Sequence, residues 1–209
     1  MKGLLLKDWY MMKVYCRAYL LIAVACIAVS FFSDDNLFWA FYPCLLCGMI
    51  PVNLLAYDER SRWMQYSGTL PYTRAQIVSG KYLIGLFAQV TVLVVTAVAH
   101  TAKMSVAGEF ATGKITTLIL LMVSVSSLSS SVCLPFVFKL GVEKGRTAYY
   151  VMIGFVCGAS VLASSILRGQ LVSEIQPNLI LALVAVAGIG IYILSWYLSI
   201  VFFKKREIQ

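Results

Sequence analysis

The residues of this chain whose types and spacing could do chemistry fall in two places. The first is a polar stretch in which Asp58, Glu59, Arg60 and Arg62 sit beside Trp63, Tyr66 and Leu70. The three apolar residues recur at i, i+3 and i+7, the spacing of a short amphipathic helix with a charged rim. Such a face docks a protein partner; it does not make or break bonds. The second is a hydroxyl run, Ser124, Ser126, Ser127, Ser129, Ser130 and Ser131, inside an apolar segment, with Asn53, Gln89, Thr91 and Thr96 in other apolar segments. Small and hydroxylated residues let helices approach and hydrogen-bond across the contact. Packing accounts for this mixture, and a weakly polar path lined by Asn53, Gln89, Ser124, Ser127 and Ser131 is the functional alternative.

Catalytic chemistry finds no comparable support. The chain has one histidine, His100, which reads as a polar residue near the end of an apolar segment and not as a base. Its six cysteines, Cys16, Cys26, Cys44, Cys47, Cys133 and Cys157, lie in or beside apolar runs, where a free thiol behaves as a small hydrophobe. Cys44 and Cys47 have C-x-x-C spacing, but zinc wants a second pair or histidines, and a redox motif wants a soluble βαβ setting. Gly108 to Ile115 looks like a phosphate loop until its end, where Ile115 replaces the magnesium-binding hydroxyl and no strand precedes it. No catalytic, metal or cofactor site is expected in this chain.

The elements that carry these residues follow from composition. The 209 residues are 61% hydrophobic and 12% charged, with a mean hydropathy of +0.86, which excludes both a soluble globular domain and a disordered chain. Crossing the hydrocarbon takes about 20 apolar residues. Six runs qualify, over about 18–32, 37–56, 82–101, 115–138, 148–167 and 179–203, and none contains Asp, Glu, Lys or Arg. Continuous runs without alternation are helices, not barrel strands. The lack of buried charge also argues against a proton-relay transporter.

The net charge of +8 then finds its place. With six spans, Lys2, Lys7, Lys13, Arg17, Arg60, Arg62, Arg74, Lys81, Lys139, Lys144, Arg146, Lys204, Lys205 and Arg206 share one side, while Lys103, Lys114 and Arg168 lie on the other. Fourteen against three is a positive-inside signal with both termini cytoplasmic. Trp9, Tyr10, Trp39, Tyr42, Tyr82, Tyr149, Tyr150 and Trp196 near the span ends suit the headgroup level. Basic anchoring explains the charge excess, so no nucleic-acid ligand is expected. No cleavage site follows the first run, which is expected to remain as an anchor. Residues 1–17 interleave Leu4, Leu5, Trp9, Met12 and Tyr15 with lysines, the pattern of an interfacial helix.

Within the 57–81 loop, Asp58 and Glu59 are placed to open a short helix, with Arg62 four residues after Asp58. Gly68 and Pro71 break that pattern, and Thr73 or a neighbour is expected to cap a helix running through Lys81 into the third span. Pro135 is expected to kink or end the fourth span. Gly154 and Gly158 in the fifth have the spacing of a close helix contact.

Leu4-Leu5-Leu6-Lys7-Asp8, the six-span layout, and the loop residues Asp58-Glu59, Trp63, Leu70-Pro71, Thr73-Arg74, Ile77-Val78 and Lys81-Tyr82 resemble the ABC-2 type permease subunits of small bacterial ABC exporters. The nearest likeness is to the membrane subunits of phenol-soluble-modulin exporters. The resemblance implies an all-α, type V exporter-like permease with an interfacial elbow helix at 1–17 and a six-helix domain over 18–209. It implies a coupling helix within 57–81 that docks cytoplasmic ABC ATPase subunits, and a second permease subunit as homo- or heterodimer. ATP and Mg would then be bound by the partner ATPase, with the chain itself in the bacterial cell membrane among its lipids. Asp58, Glu59, Arg60 and Arg62 would be rim contacts around Trp63, Tyr66 and Leu70. One departure is the short 168–178 connection, where many relatives insert re-entrant helices. An amphipathic peptide or other hydrophobic compound suits the uncharged interior as cargo. The rival class is a non-transporting membrane immunity or sensor protein that binds peptides or a membrane partner.

Overall fold

The computed structural model describes residues 2–32, 37–107, 112–145, 147, 150, 151, 154 and 177–205. Helices make up the regular structure of these residues: α1 (Lys2–Tyr15), α2 (Arg17–Phe32), α3 (Leu37–Gly48), α4 (Ile50–Arg60), α5 (Trp63–Ser67), α6 (Arg74–Ala107), α7 (Thr112–Leu140) and α8 (Pro177–Lys205). Arg74–Ser105, Ile115–Leu140 and Leu181–Lys205 are each long and apolar enough to cross a membrane. A fourth candidate is the pair Lys2–Tyr15 and Arg17–Ser30, bent by 66°. The expected fifth run, 148–167, lies outside the described residues apart from Tyr150, Val151 and Gly154, as do the first four residues of the Gly108–Ile115 loop, Gly158 and the 168–178 connection up to its last two residues.

Local chemistry sets where these helices stop. The run expected over 37–56 is divided, with α3 ending at Gly48 and α4 starting at Ile50. Pro51 lies in the first turn of α4 and has no N–H for the carbonyl four residues back, so the ladder is interrupted before it. Met49 N–H turns instead to the carbonyl of Leu46 at 3.0 Å. Pro135, by contrast, does not end α7, which continues to Leu140. The stop comes at Gly141, whose φ of 89° is the left-handed conformation that suits glycine past a helix end. Its N–H still reaches the Val137 carbonyl at 2.9 Å.

The long α6 begins with a reciprocal cap. Thr73 Oγ1 accepts from the N–H of Gln76 at 3.3 Å, and Gln76 Oε1 accepts from the N–H of Thr73 at 3.1 Å. Two of the orphan donors at the helix start are thereby satisfied. At 34 residues and 1.5 Å per residue α6 is about 51 Å long, longer than a hydrocarbon core of about 30 Å.

Two apolar clusters hold the bundle together. One joins Leu4 of α1, Val52 and Leu55 of α4, Ile77, Val78 and Tyr82 of α6, Cys133, Leu134 and Phe138 of α7, and Tyr192 and Phe203 of α8. The other joins Met12 and Cys16 to Cys44, Cys47, Ile50, Leu54, Ile84, Ala88, Leu118 and Met122. Cys16, Cys44, Cys47 and Cys133 are free thiols buried in these clusters, and Cys26 is a buried free thiol outside them. Leu4 seats directly over Gly80, where a Cβ would collide with its methyl group. Ala185, Gly188, Tyr192, Ser195, Ser199 and Phe203 recur every three or four residues as the inward stripe of α8.

Candidate functional site: a charged joint beneath a short exposed helix

The end of α4 carries two carboxylates, where the helix dipole disfavours them. Asp58 and Glu59 therefore close a helix, whereas the sequence pattern placed them at the start of one. Both are compensated from elsewhere in the chain. Glu59 Oε2 accepts from the N–H of Val142, 3.1 Å away, at the start of the helical turn that follows Gly141. Asp58 enters an ion cluster with groups from α1 and α6.

That cluster is a closed, alternating ring. Lys7 Nζ donates to Asp58 Oδ1 at 2.7 Å, Asp58 Oδ2 contacts Lys81 Nζ, and Lys81 Nζ donates to Asp8 Oδ1 at 2.7 Å. Asp8 Oδ1 lies 3.4 Å from Lys7 Nζ and completes the circuit. Asp8, Asp58 and Lys81 are 0%, 1% and 1% exposed, while Lys7 is the accessible corner at 23%. Two positive and two negative charges leave the ring neutral, which is how charges tolerate burial. Its members come from three segments separated by as many as 73 residues. Removing one of them would leave an uncompensated charge, at a cost of about 3–5 kcal/mol.

Above the ring the chain reverses through Arg62, whose φ of 54° is left-handed and unusual for a residue with a Cβ. This turn starts the five-residue α5. Lys7 Nζ lies 4.1 Å from the centroid of the Trp63 ring, a cation–π contact that fastens α5 to the ring below. Trp63 is half-buried, and Tyr66, 5.5 Å from it between ring centroids, is 58% exposed. Leu70 lies beyond α5, because Gly68 follows its last residue and the chain passes into turns. Arg60 and Arg62 are exposed. The expected docking set therefore divides: Arg60, Arg62, Trp63, Tyr66 and Leu70 remain at or near the surface, whereas Asp58 is an interior group and Glu59 is engaged with Val142.

Other groups brace the same end of the bundle. Arg74 donates to the carbonyls of Phe203 at 3.4 Å and Lys204 at 2.8 Å, so it closes the last turn of α8. Tyr82 Oη sits between Ser195 and Ser199 at 2.8 and 2.7 Å, and Tyr192 donates to the Tyr82 carbonyl at 3.0 Å. Trp196 stacks on Tyr82 and donates from Nε1 to Ser79 Oγ at 3.1 Å.

The polar residues proposed for a path occupy the bundle interior. Gln89 Nε2 donates to the Ser126 carbonyl at 3.0 Å and to Ser130 Oγ at 2.5 Å, and Asn53 is buried on α4. Ser124, Ser127 and Ser131 turn their hydroxyls back to the carbonyls of Leu120, Ser124 and Leu128. Gly188 faces Ser127 so closely that a Cβ would lie 2.5 Å from its Oγ. These contacts describe close helix packing.

The fold and the braced loop can be set beside known sequences. Residues 3–204 match the profile of the ABC-2 family transporter protein. The chain belongs to this ABC-2 family. No curated protein and no solved structure matches it at a significant level. Membership makes it a multi-pass membrane component of an ABC transporter, a permease in type, working with an ABC ATPase. Five of the residues that carried the resemblance (Lys7, Asp8, Asp58, Trp63 and Lys81) meet in the permease at the joint described above, and a sixth, Leu4, packs against Gly80 beside it. Sequence reading counts Lys7 and Lys81 toward membrane anchoring and, with Asp8, toward the resemblance, and gives none of the three a place in a site. The signal that could have found the ring is an acidic residue amid the basic N-terminal segment, and a lysine between Val78 and Ile84.

Proposed function

We propose that this ABC-2 chain is the permease subunit of an ATP-driven exporter and that a separate cytoplasmic ATPase docks on its 60–70 segment. The observation that carries this reading is the exposed aromatic and basic surface of Arg60, Arg62, Trp63 and Tyr66, fixed on a buried charge ring instead of a free loop. A rigid protrusion transmits displacement, whereas a mobile loop would absorb it. In this arrangement the chain has six spans with both termini cytoplasmic, in the bacterial cell membrane. The broken α3–α4 segment would supply one crossing. The outward Leu6, Tyr10 and Val14 of α1 suit an interfacial position at the lipid headgroups.

A second permease copy or paralogue completes the pathway, ATP and Mg reside on the ATPase, and the cargo is an amphipathic peptide or other hydrophobic compound. Closure of the ATPase would press on α5 and rock the helices behind it. Co-purification with the ATPase tests the reading. The Trp63→Ala and Tyr66→Ala chains should retain less than a tenth of the wild-type ATPase. Full retention and unchanged ATP hydrolysis in both variants would defeat it.

A further inference from the structure

Lys7 differs from the other three members of the ring. Asp8, Asp58 and Lys81 are sealed, while Lys7 is partly open and lies against α5, at the face of Trp63. Lys7 therefore lies behind the docking residues, against the inner face of Trp63, and within the buried circuit. Asp58 binds Lys7 through one carboxylate oxygen and contacts Lys81 through the other. Asp8, next to Lys7 on α1, holds Lys81 from the opposite side. A shift of Trp63 is thus communicated to the start of α6 by two routes, through Asp58 and through Asp8. Behind Lys81, Tyr82 is the next residue of α6 and grips Ser195 and Ser199 of α8.

We infer that the ring is the transmission joint of the permease, with Lys7 as the positioning residue that registers the docked partner on Trp63. This deepens the proposed function and rests on it. A partner seated on Trp63 and Tyr66 removes water from around Lys7. Charge interactions strengthen as water leaves, so docking tightens the ring and locks α1, α4 and α6 into one unit. Losing Lys7 would leave the docking side chains in place and uncouple them from α6.

The test uses the full chain in nanodiscs with its ATPase, and reads two quantities: the amount of ATPase bound, and the ATP hydrolysis rate per bound ATPase. Lys7→Gln leaves a net negative charge in the ring and risks misfolding. The paired variant Lys7→Gln with Asp8→Asn keeps the Asp58–Lys81 pair balanced. Lys7→Arg keeps the charge and can still stack on Trp63. The paired variant should bind ATPase within about twofold of wild type, with the chain-dependent part of the hydrolysis rate reduced at least tenfold. Lys7→Arg should restore at least half of that part. A merely structural ring would lower bound ATPase and leave the rate per bound ATPase unchanged; that outcome, or a wild-type rate in the paired variant, overturns the inference alone. A wild-type chain that neither binds the ATPase nor alters its rate overturns the permease reading and this inference with it.

Discussion

The joint formed by the middle of α1, the end of α4 and the first turns of α6, and the serine-rich interior of α7, both bury polar groups in an apolar bundle, by opposite means. At the joint, full charges meet partners 51 and 73 residues away. In α7, Ser124, Ser127 and Ser131 satisfy their hydroxyls within the same helix, three or four residues back. Long-range pairing makes the tertiary arrangement a condition of polar satisfaction, so an error anywhere exposes a buried charge. Local bonding makes no such demand at these three serines, and α7 is tied to α6 at this level by Gln89, which donates to the Ser126 carbonyl and to Ser130 Oγ. One region specifies position and the other permits close contact.

Substitutions separate the two regions. The largest effect is expected for Lys81→Met, which leaves Lys7 alone against Asp8 and Asp58, one buried negative charge uncompensated, and should destabilise the chain by about 3–5 kcal/mol, read as lost protein yield and a lowered Tm in detergent. A variant as stable as wild type would mean that the ring is ornamental. Next is Gly188→Ala, whose new Cβ meets Ser127 Oγ and should cost about 1–3 kcal/mol by overpacking. Adding Ser127→Ala should recover most of that loss, because the obstructing oxygen is gone; no recovery would place the strain elsewhere.

Smaller effects sharpen the contrast. Tyr82→Phe removes the phenol shared by Ser195 and Ser199 and should cost about 1–2 kcal/mol in thermal unfolding. Thr73→Ala, which deletes half of the reciprocal cap of α6, should cost about 1 kcal/mol. Ser124→Ala should lie within about 0.5 kcal/mol of wild type, since its hydroxyl serves only its own helix. A large loss there would show that the serines carry more than packing.

Much of the helical layout was legible because apolar runs of membrane length leave few alternatives. The cap at Thr73 was legible for a similar reason, since Thr and Gln three apart satisfy each other locally. Arg17–Phe32, Arg74–Ala107, Thr112–Leu140 and Pro177–Lys205 all overlap expected runs. The division of the second run was not foreseen, although Pro51 supplies the cause, because hydropathy does not register a missing N–H. Pro135 shows the converse: a proline within a packed helix need not end it when neighbouring helices hold both sides.

The site divided along the same line. Trp63 and Tyr66 stand out by their periodicity, a property of neighbours in sequence, and both lie at or near the surface. The fate of Asp58 depended on Lys7 and Lys81, which no local pattern connects to it. Adjacency in sequence suggested a helix start for Asp58 and Glu59; the partners across the bundle made a helix end tolerable. Arg74 on the carbonyls of α8 escaped notice for the same reason, since its partners lie 129 and 130 residues away.

Site-specific photo-crosslinking from the surface of α5 tests the central claim most directly. A benzophenone side chain at Tyr66, in cells producing the ATPase, should form a crosslink to it, while the same group at the outward Tyr197 of α8 should not. An ATPase adduct at both positions, or at neither, would contradict docking on α5 above the charged joint.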